Sequence, residues 1–255
     1  MSEICKNCTN EIALNFCPNC GQKKAKRIDR NYLKDEIQYT VLHMNKGFFF
    51  SVRQILKAPG KTAREFVEGN RVNHYKPILL VFVVAGISAF LTNAFIHPLE
   101  VMERYSEAHP MKSAIDLNAF SKILFKYQSF VMLLTVPFLA FFTWIVFRKW
   151  GYNYYENVVI NAYSLVFLLL LSILLVFPLQ FFLKGNSDLF MIIPTIVSYI
   201  LMFVVFPWFY INLYDKKSPG DVILKLLLLA GILVAFTVIL TIIGGVIYAI
   251  SLRTN

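Results

Sequence analysis

Five stretches of the chain contain no Asp, Glu, Lys or Arg: residues 77–96, 129–147, 158–183, 189–214 and 226–252. Each is 19 or more residues long, and a helix of ~20 residues crosses ~30 Å of hydrocarbon. The apolar positions are continuous rather than alternating, and an open sheet in lipid would leave backbone groups unpaired, so the pattern predicts helices and not strands. The two 26-residue runs would reach ~39 Å if straight, so tilting or bending at Pro178, Pro194 and Pro207 is expected. The five residues from Lys184 to Asp188 leave room only for a hairpin loop between the third and fourth spans.

Upstream of the first span the period changes. Leu33, Ile37, Val41 and Met44 recur at helical spacing among charged residues, predicting an amphipathic helix over residues 31–45. Residues 46–57 set Phe48, Phe49, Phe50, Val52, Ile55 and Leu56 against Arg53 and Lys57, the composition of a helix in the headgroup region. Pro59-Gly60 breaks this run, Thr62-Ala63-Arg64-Glu65 reads as a capping box for a short helix through Glu68, and Gly69-Asn70 supplies a stop. These segments suit either the lipid interface or packing on the bundle, because both remove similar apolar area from water. Between the first two spans, Pro98 opens a helical run that Pro110 closes, and Ser113-x-x-Asp116 precedes a second run with Leu117, Phe120, Leu124 and Phe125.

The composition agrees with lipid as the solvent. Hydrophobic residues make up 57% and charged residues 16%, with a mean hydropathy of +0.59, against about half and about a quarter in soluble domains. The formal charge of +10 would suggest nucleic acid in a soluble protein, but basic flanks are normal beside a bilayer, which disfavours that partner. With the N-terminus inside, 19 Lys and Arg fall on the inner side and 6 on the outer. The positive-inside rule therefore predicts an N-terminus on the cytoplasmic side and a C-terminus outside.

All four cysteines lie in the first 20 residues, as Cys5-x2-Cys8 and Cys17-x2-Cys20. Each pair forms a knuckle with both thiolates on one side, and two knuckles complete a tetrahedral site for structural Zn²⁺; spacing alone also admits iron. So short a segment cannot build a core, so its folding depends on the metal. A closed four-thiolate site has no open coordination position, which suits a docking knob and not a catalyst. Lys23, Lys24, Lys26, Arg27 and Arg30 follow as a basic linker to the membrane.

The apolar runs carry no ionisable group, and the four histidines lie outside them without metal or catalytic spacing, so no enzyme is expected. The candidate polar site is Glu156, Asn157, Asn161 and Tyr163 at the start of the third span, expected on one face. Such groups either bond between helices or line a ligand or ion site. Gly244-Gly245 offers close helix approach in the fifth span.

Three stretches, Phe16-Cys17-Pro18-Asn19-Cys20-Gly21-Gln22, Ile55-Leu56-x-x-Pro59-Gly60 through Gly69-Asn70-Arg71, and Tyr75-Lys76-Pro77, resemble the bacterial membrane proteins of domain-of-unknown-function family 3667. Tyr155-Glu156-Asn157 with Asn161-Ala162-Tyr163 is similar to a later segment of that family. The resemblance implies a zinc-ribbon N-terminus on a polytopic membrane domain and brings no assigned activity. The expected fold is thus an all-α polytopic membrane protein, with a ribbon at 1–24, a basic amphipathic interfacial linker at 25–76 and five transmembrane helices at 77–255. The expected function is a non-enzymatic adaptor or regulator whose cytosolic ribbon docks a protein partner. The alternative is a transporter or channel for an uncharged or lipid-like solute.

Overall fold

The computed structural model describes residues 3–24, 27–32, 47–110 and 117–254. The predicted helix at 31–45 and the capping signal at Ser113–Asp116 fall largely or wholly outside them. The head pairs β1 (Glu3–Ile4) antiparallel with β2 (Glu11–Ile12), and Phe16 bridges to Lys23. Two short helices follow, α1 (Phe48–Lys57) and α2 (Pro59–Val67). The bundle then comprises α3 (Pro77–Phe95), α4 (Pro98–Ala108), α5 (Leu117–Lys126), α6 (Gln128–Phe147), α7 (Tyr154–Leu171), α8 (Phe177–Leu183), α9 (Ser187–Leu213) and α10 (Pro219–Thr254).

Five helical segments are long and apolar enough to cross a membrane: Pro77–Phe95, Gln128–Trp150, Tyr154–Leu183, Ser187–Leu213 and Pro219–Gly245. The protein is a multi-pass, all-helical membrane protein with a small cysteine-bearing head. In α7, 13 of 18 residues are buried, and this helix packs against α6, α3 and α2 at the centre of the bundle. At the opposite extreme, α10 leaves Leu224, Leu227, Val234 and Ile242 exposed, a surface suited to lipid.

Several helix boundaries differ from the apolar runs. The third span begins at Tyr154 because Asn153 Oδ1 accepts from Glu156 N at 2.9 Å while Glu156 Oε2 accepts from Asn153 N at 2.7 Å, a capping box that fixes the start. The fifth helix starts at Pro219, bringing Asp221 and Lys225 into its first two turns. Between α7 and α8 the helix widens into a π turn at Ser172–Val176, just before Pro178, whose missing N–H cannot continue the regular ladder.

The capping box expected at Thr62–Glu65 does not form. Pro59 occupies the first turn of α2, with φ already suited to a helix start. Thr62 Oγ1 instead donates to Ala58 O and Gln54 O, at 2.8 and 3.1 Å, fastening α2 to the end of α1. The stop at Gly69 is as expected, with φ +117.

Packing on the protein wins for α2, whose Pro59, Gly60, Thr62, Ala63, Phe66 and Val67 are buried. Its approach to α9 is so close that a Cβ on Gly60 would overlap Phe209 O and come within 2.6 Å of Leu213 N. Only glycine fits there. In α1, Ser51 and Ile55 face inward and Phe49 stays 83% exposed. Gly244 and Gly245 would meet nothing within 4 Å if given a Cβ. They therefore mediate no close helix approach among the described residues.

Cations close the C-terminal ends of the helices, where free carbonyls and the helix dipole attract positive charge. Arg71 donates to Phe66 O and Val67 O at the end of α2, and Arg64 to Asn212 O and Leu213 O at the end of α9. Lys225 donates to Val146 O at the end of α6, and Lys184 to Phe95 O at the end of α3.

Candidate metal centre

The head is built from two copies of one knuckle. Cys5 N donates to Asn10 O and Thr9 N to Cys5 O; in the second copy Cys17 N donates to Gln22 O and Gly21 N to Cys17 O, all four at 2.8–2.9 Å. Thr9 and Gly21, each following the second cysteine of its pair, turn the chain with φ of +60 and +72. This doubling brings the four Sγ atoms of Cys5, Cys8, Cys17 and Cys20 within 4.8 Å of one another. Cys5 and Cys20 Sγ are 3.6 Å apart and Cys8 and Cys17 Sγ 3.4 Å.

Four sulfurs each about 2.3 Å from one tetrahedral ion stand ~3.8 Å apart. The observed spacing fits such an ion, and all four cysteines are free of disulfides. The Asn7 side chain and the backbone N–H of Gln22 bond the Cys20 sulfur and hold its thiol down at about 6. A low thiol favours the thiolate that a metal requires.

The head is fastened to the membrane domain. Gln22, 3% exposed, donates through Nε2 to Gly69 O, while its Oε1 accepts from Arg71 N at 3.4 Å. Asn73 Nδ2 donates to Asn7 Oδ1 at 3.3 Å. Beyond the head, Arg27 pairs with Glu156, Asn153 Nδ2 donates to Ile28 O at 2.9 Å, and Ile28 is fully buried in the main core. The guanidinium of Arg71 lies 4.7 Å from the Tyr32 ring centroid. The head thus sits at the end of the bundle formed by the start of α3, the α6–α7 turn and the α9–α10 turn.

The four candidate polar residues divide between two directions rather than sharing one face. Glu156 and Tyr163, seven residues apart, face the head and α2. Glu156 meets Arg27, and the Tyr163 ring lies 5.5 Å from that of Phe66 and 6.3 Å from that of His74. Asn157 and Asn161 face another way, where Asn161 Nδ2 donates to Thr143 Oγ1 and to Asn157 O, both at 2.8 Å, and Tyr210 OH donates to Asn161 Oδ1 at 3.4 Å. Asn157 Nδ2 donates back to Asn153 O at 2.8 Å. Asn161 joins α6, α7 and α9, which is how polar side chains bond helices in lipid.

His74 is 7% exposed, with its Nδ1 3.5 Å from Ser51 Oγ, and burial holds its pKa down at about 4. Ser51 Oγ also accepts from Tyr75 N at 2.7 Å. The sequence alone assigns no role to Ser51, Gln22, Asn153 or Thr143. Only Asn153, three residues before Glu156, carries a signal there, the capping pattern.

Residues 45–89 match the family described as a protein of unknown function, DUF3667. Over that segment the chain is similar to this family. The matched segment runs from Asn45 through α1, α2 and the His74 turn into α3. No curated protein and no solved structure matches the chain.

Proposed function

We propose that this protein belongs to the DUF3667 family and is a non-enzymatic adaptor of the bacterial cytoplasmic membrane, whose zinc-bearing ribbon faces the cytosol and docks a protein partner. The observation that carries this reading is the apolar surface that the head leaves exposed. Ile4, Leu14 and Phe16 are 66%, 80% and 57% exposed, although a fold this small has little apolar surface to leave uncovered. The head is tied to the bundle through Gln22 and Asn7. A head so fastened that still exposes apolar side chains suits a rigid docking platform.

Zinc is favoured because four thiolates in a closed tetrahedron match its structural sites. The cytosolic placement rests on the excess of Lys and Arg in the head-side segments and on the reducing conditions that free thiolates need. The Asn161 bonds among α6, α7 and α9 support a structural use of the buried polar groups.

The test is cross-linking and pull-down from cells carrying Ile4→Ser, Leu14→Ser and Phe16→Ser together. The variant should keep its metal and its place in the membrane while losing the captured cytosolic protein. Unchanged capture by a metal-loaded triple variant would overturn the proposal.

A further inference from the structure

At the first turns of α10 a cavity of about 610 Å³ opens beside the turn that follows α6, lined by the polar Trp150, Lys217, Asp221 and Lys225 and by the apolar Leu224 and Leu228. Lys225 Nζ lies 2.6 Å from Val146 O and 5.0 Å from the Trp150 ring centroid, and Lys217 Nζ lies 5.6 Å from the same ring. An ammonium carries three donors, so Lys225 retains two after bonding the end of α6. Neither lysine is paired with a carboxylate among the described residues. Asp221 offsets one of the two charges, leaving the lining net positive.

The apolar lining runs along the same helix, with Leu224 level with Lys225 and Leu228 about one turn deeper. Leu224 and Leu228 are 67% and 55% exposed and sit ~5 and ~10 Å beyond Asp221 at 1.5 Å per residue. Cations and an indole at the start of a membrane helix, beside and above bare leucines, match the two parts of a lipid: a phosphate at headgroup level and a chain below it.

We propose that this cavity binds one anionic phospholipid, its phosphate held by Lys217 and Lys225 and an acyl chain laid along Leu224 and Leu228. The leucines select a diacyl lipid over free phosphate, because a phosphate alone leaves that half of the cavity unfilled. The lysines select an anionic headgroup over a zwitterionic one, whose own cation cancels the attraction.

The experiment uses the full-length, delipidated protein in neutral detergent, titrated with phosphatidylglycerol or phosphatidylcholine and followed by native mass spectrometry, with glycerol phosphate as competitor. One phosphatidylglycerol should bind about five-fold or more tightly than phosphatidylcholine, and Lys217→Gln should weaken it by about five-fold. Lys217 is exposed and caps no helix, so that variant should keep the parent melting temperature. Lys225→Gln should weaken binding at least as much and also loosen the end of α6. Equal binding of the two lipids, indifference to Lys217→Gln, or displacement by an equal concentration of glycerol phosphate would each overturn the proposal.

Discussion

Arg27 and Glu156, 129 residues apart in sequence, meet in a two-pronged ion pair, with Arg27 Nε 3.0 Å from Oε1 and Nη2 3.1 Å from Oε2 of the carboxylate. The same carboxylate accepts from Asn153 N and closes the capping box of α7. Arg27 also donates to Gly151 O at 3.0 Å. One side chain therefore starts the central helix and anchors the segment that follows the head.

Glu156→Ala should destabilise the folded protein by ~1–3 kcal/mol, since it removes half of a capping box and a charge-assisted pair at a buried group. Glu156→Gln keeps an acceptor for Asn153 N and should lose less. Both variants should release the head more readily, read as faster limited proteolysis between the head and α1 at a temperature where the bundle stays folded. Equal proteolysis of parent and both variants would remove Glu156 from the anchoring role.

Gly60→Ala places a methyl group where α2, packed on α9, leaves no room for one. The added Cβ would overlap Phe209 O and press on Leu213 N, which are backbone atoms of α9 and cannot rotate away. Separating α2 from α9 should cost ~3 kcal/mol or more. Gly231→Ala, in α10 with nothing within 4 Å, is the control and should be neutral or slightly stabilising, because alanine is the better helix former. Thermal melts of the two variants in the same detergent provide the comparison.

His74 makes stability depend on pH. Burial holds its folded pKa at about 4, against 6.5 for the exposed ring. Between these values the unfolded chain binds a proton that the folded protein refuses, so the stabilisation is complete above ~6.5 and is lost as the pH falls toward 4. The slope should approach ~1.4 kcal/mol per pH unit and flatten below the folded pKa. His74→Gln should remove that slope. Denaturation midpoints collected from pH 7.5 to 4 measure it.

What could be read from the sequence follows the range of the interaction concerned. The five spans were legible because each is a long unbroken apolar run, and the four thiolates because two identical pairs sit close in the chain. Contacts between distant segments were not. Nothing local to Gln22 points to Gly69, or to Arg27 that it would meet Glu156. The division of Glu156 and Tyr163 from Asn157 and Asn161 follows from helical phase, which closeness in sequence does not reveal. The start of α2 differs from the expected one because a capping pattern at Thr62 competes with a proline at Pro59, and the proline's fixed φ prevails where the threonine hydroxyl can turn back to Ala58 O.

The doubled knuckle exposes one asymmetry that metal binding should report. Thr9 and Gly21 occupy equivalent positions with φ of +60 and +72. Glycine adopts that conformation freely, whereas a β-branched residue there costs on the order of 1 kcal/mol or more. Thr9 recovers part of this by donating from Oγ1 to Cys8 O at 2.6 Å, and a new glycine would enlarge the unfolded ensemble, which opposes the gain. Strain relief prevails because the left-handed penalty falls on the backbone itself, while the lost hydroxyl bond is exposed to water. Folding of so small a head is linked to metal loading, so Thr9→Gly should raise the apparent affinity by up to about five-fold. Gly21→Thr should lower it by at least as much. The readout is chelator competition on the full-length protein, with one metal ion expected per chain and none in Cys5→Ser/Cys20→Ser. Should Gly21→Thr hold its metal as tightly as the parent, the left-handed turn would have no part in shaping the thiolate site.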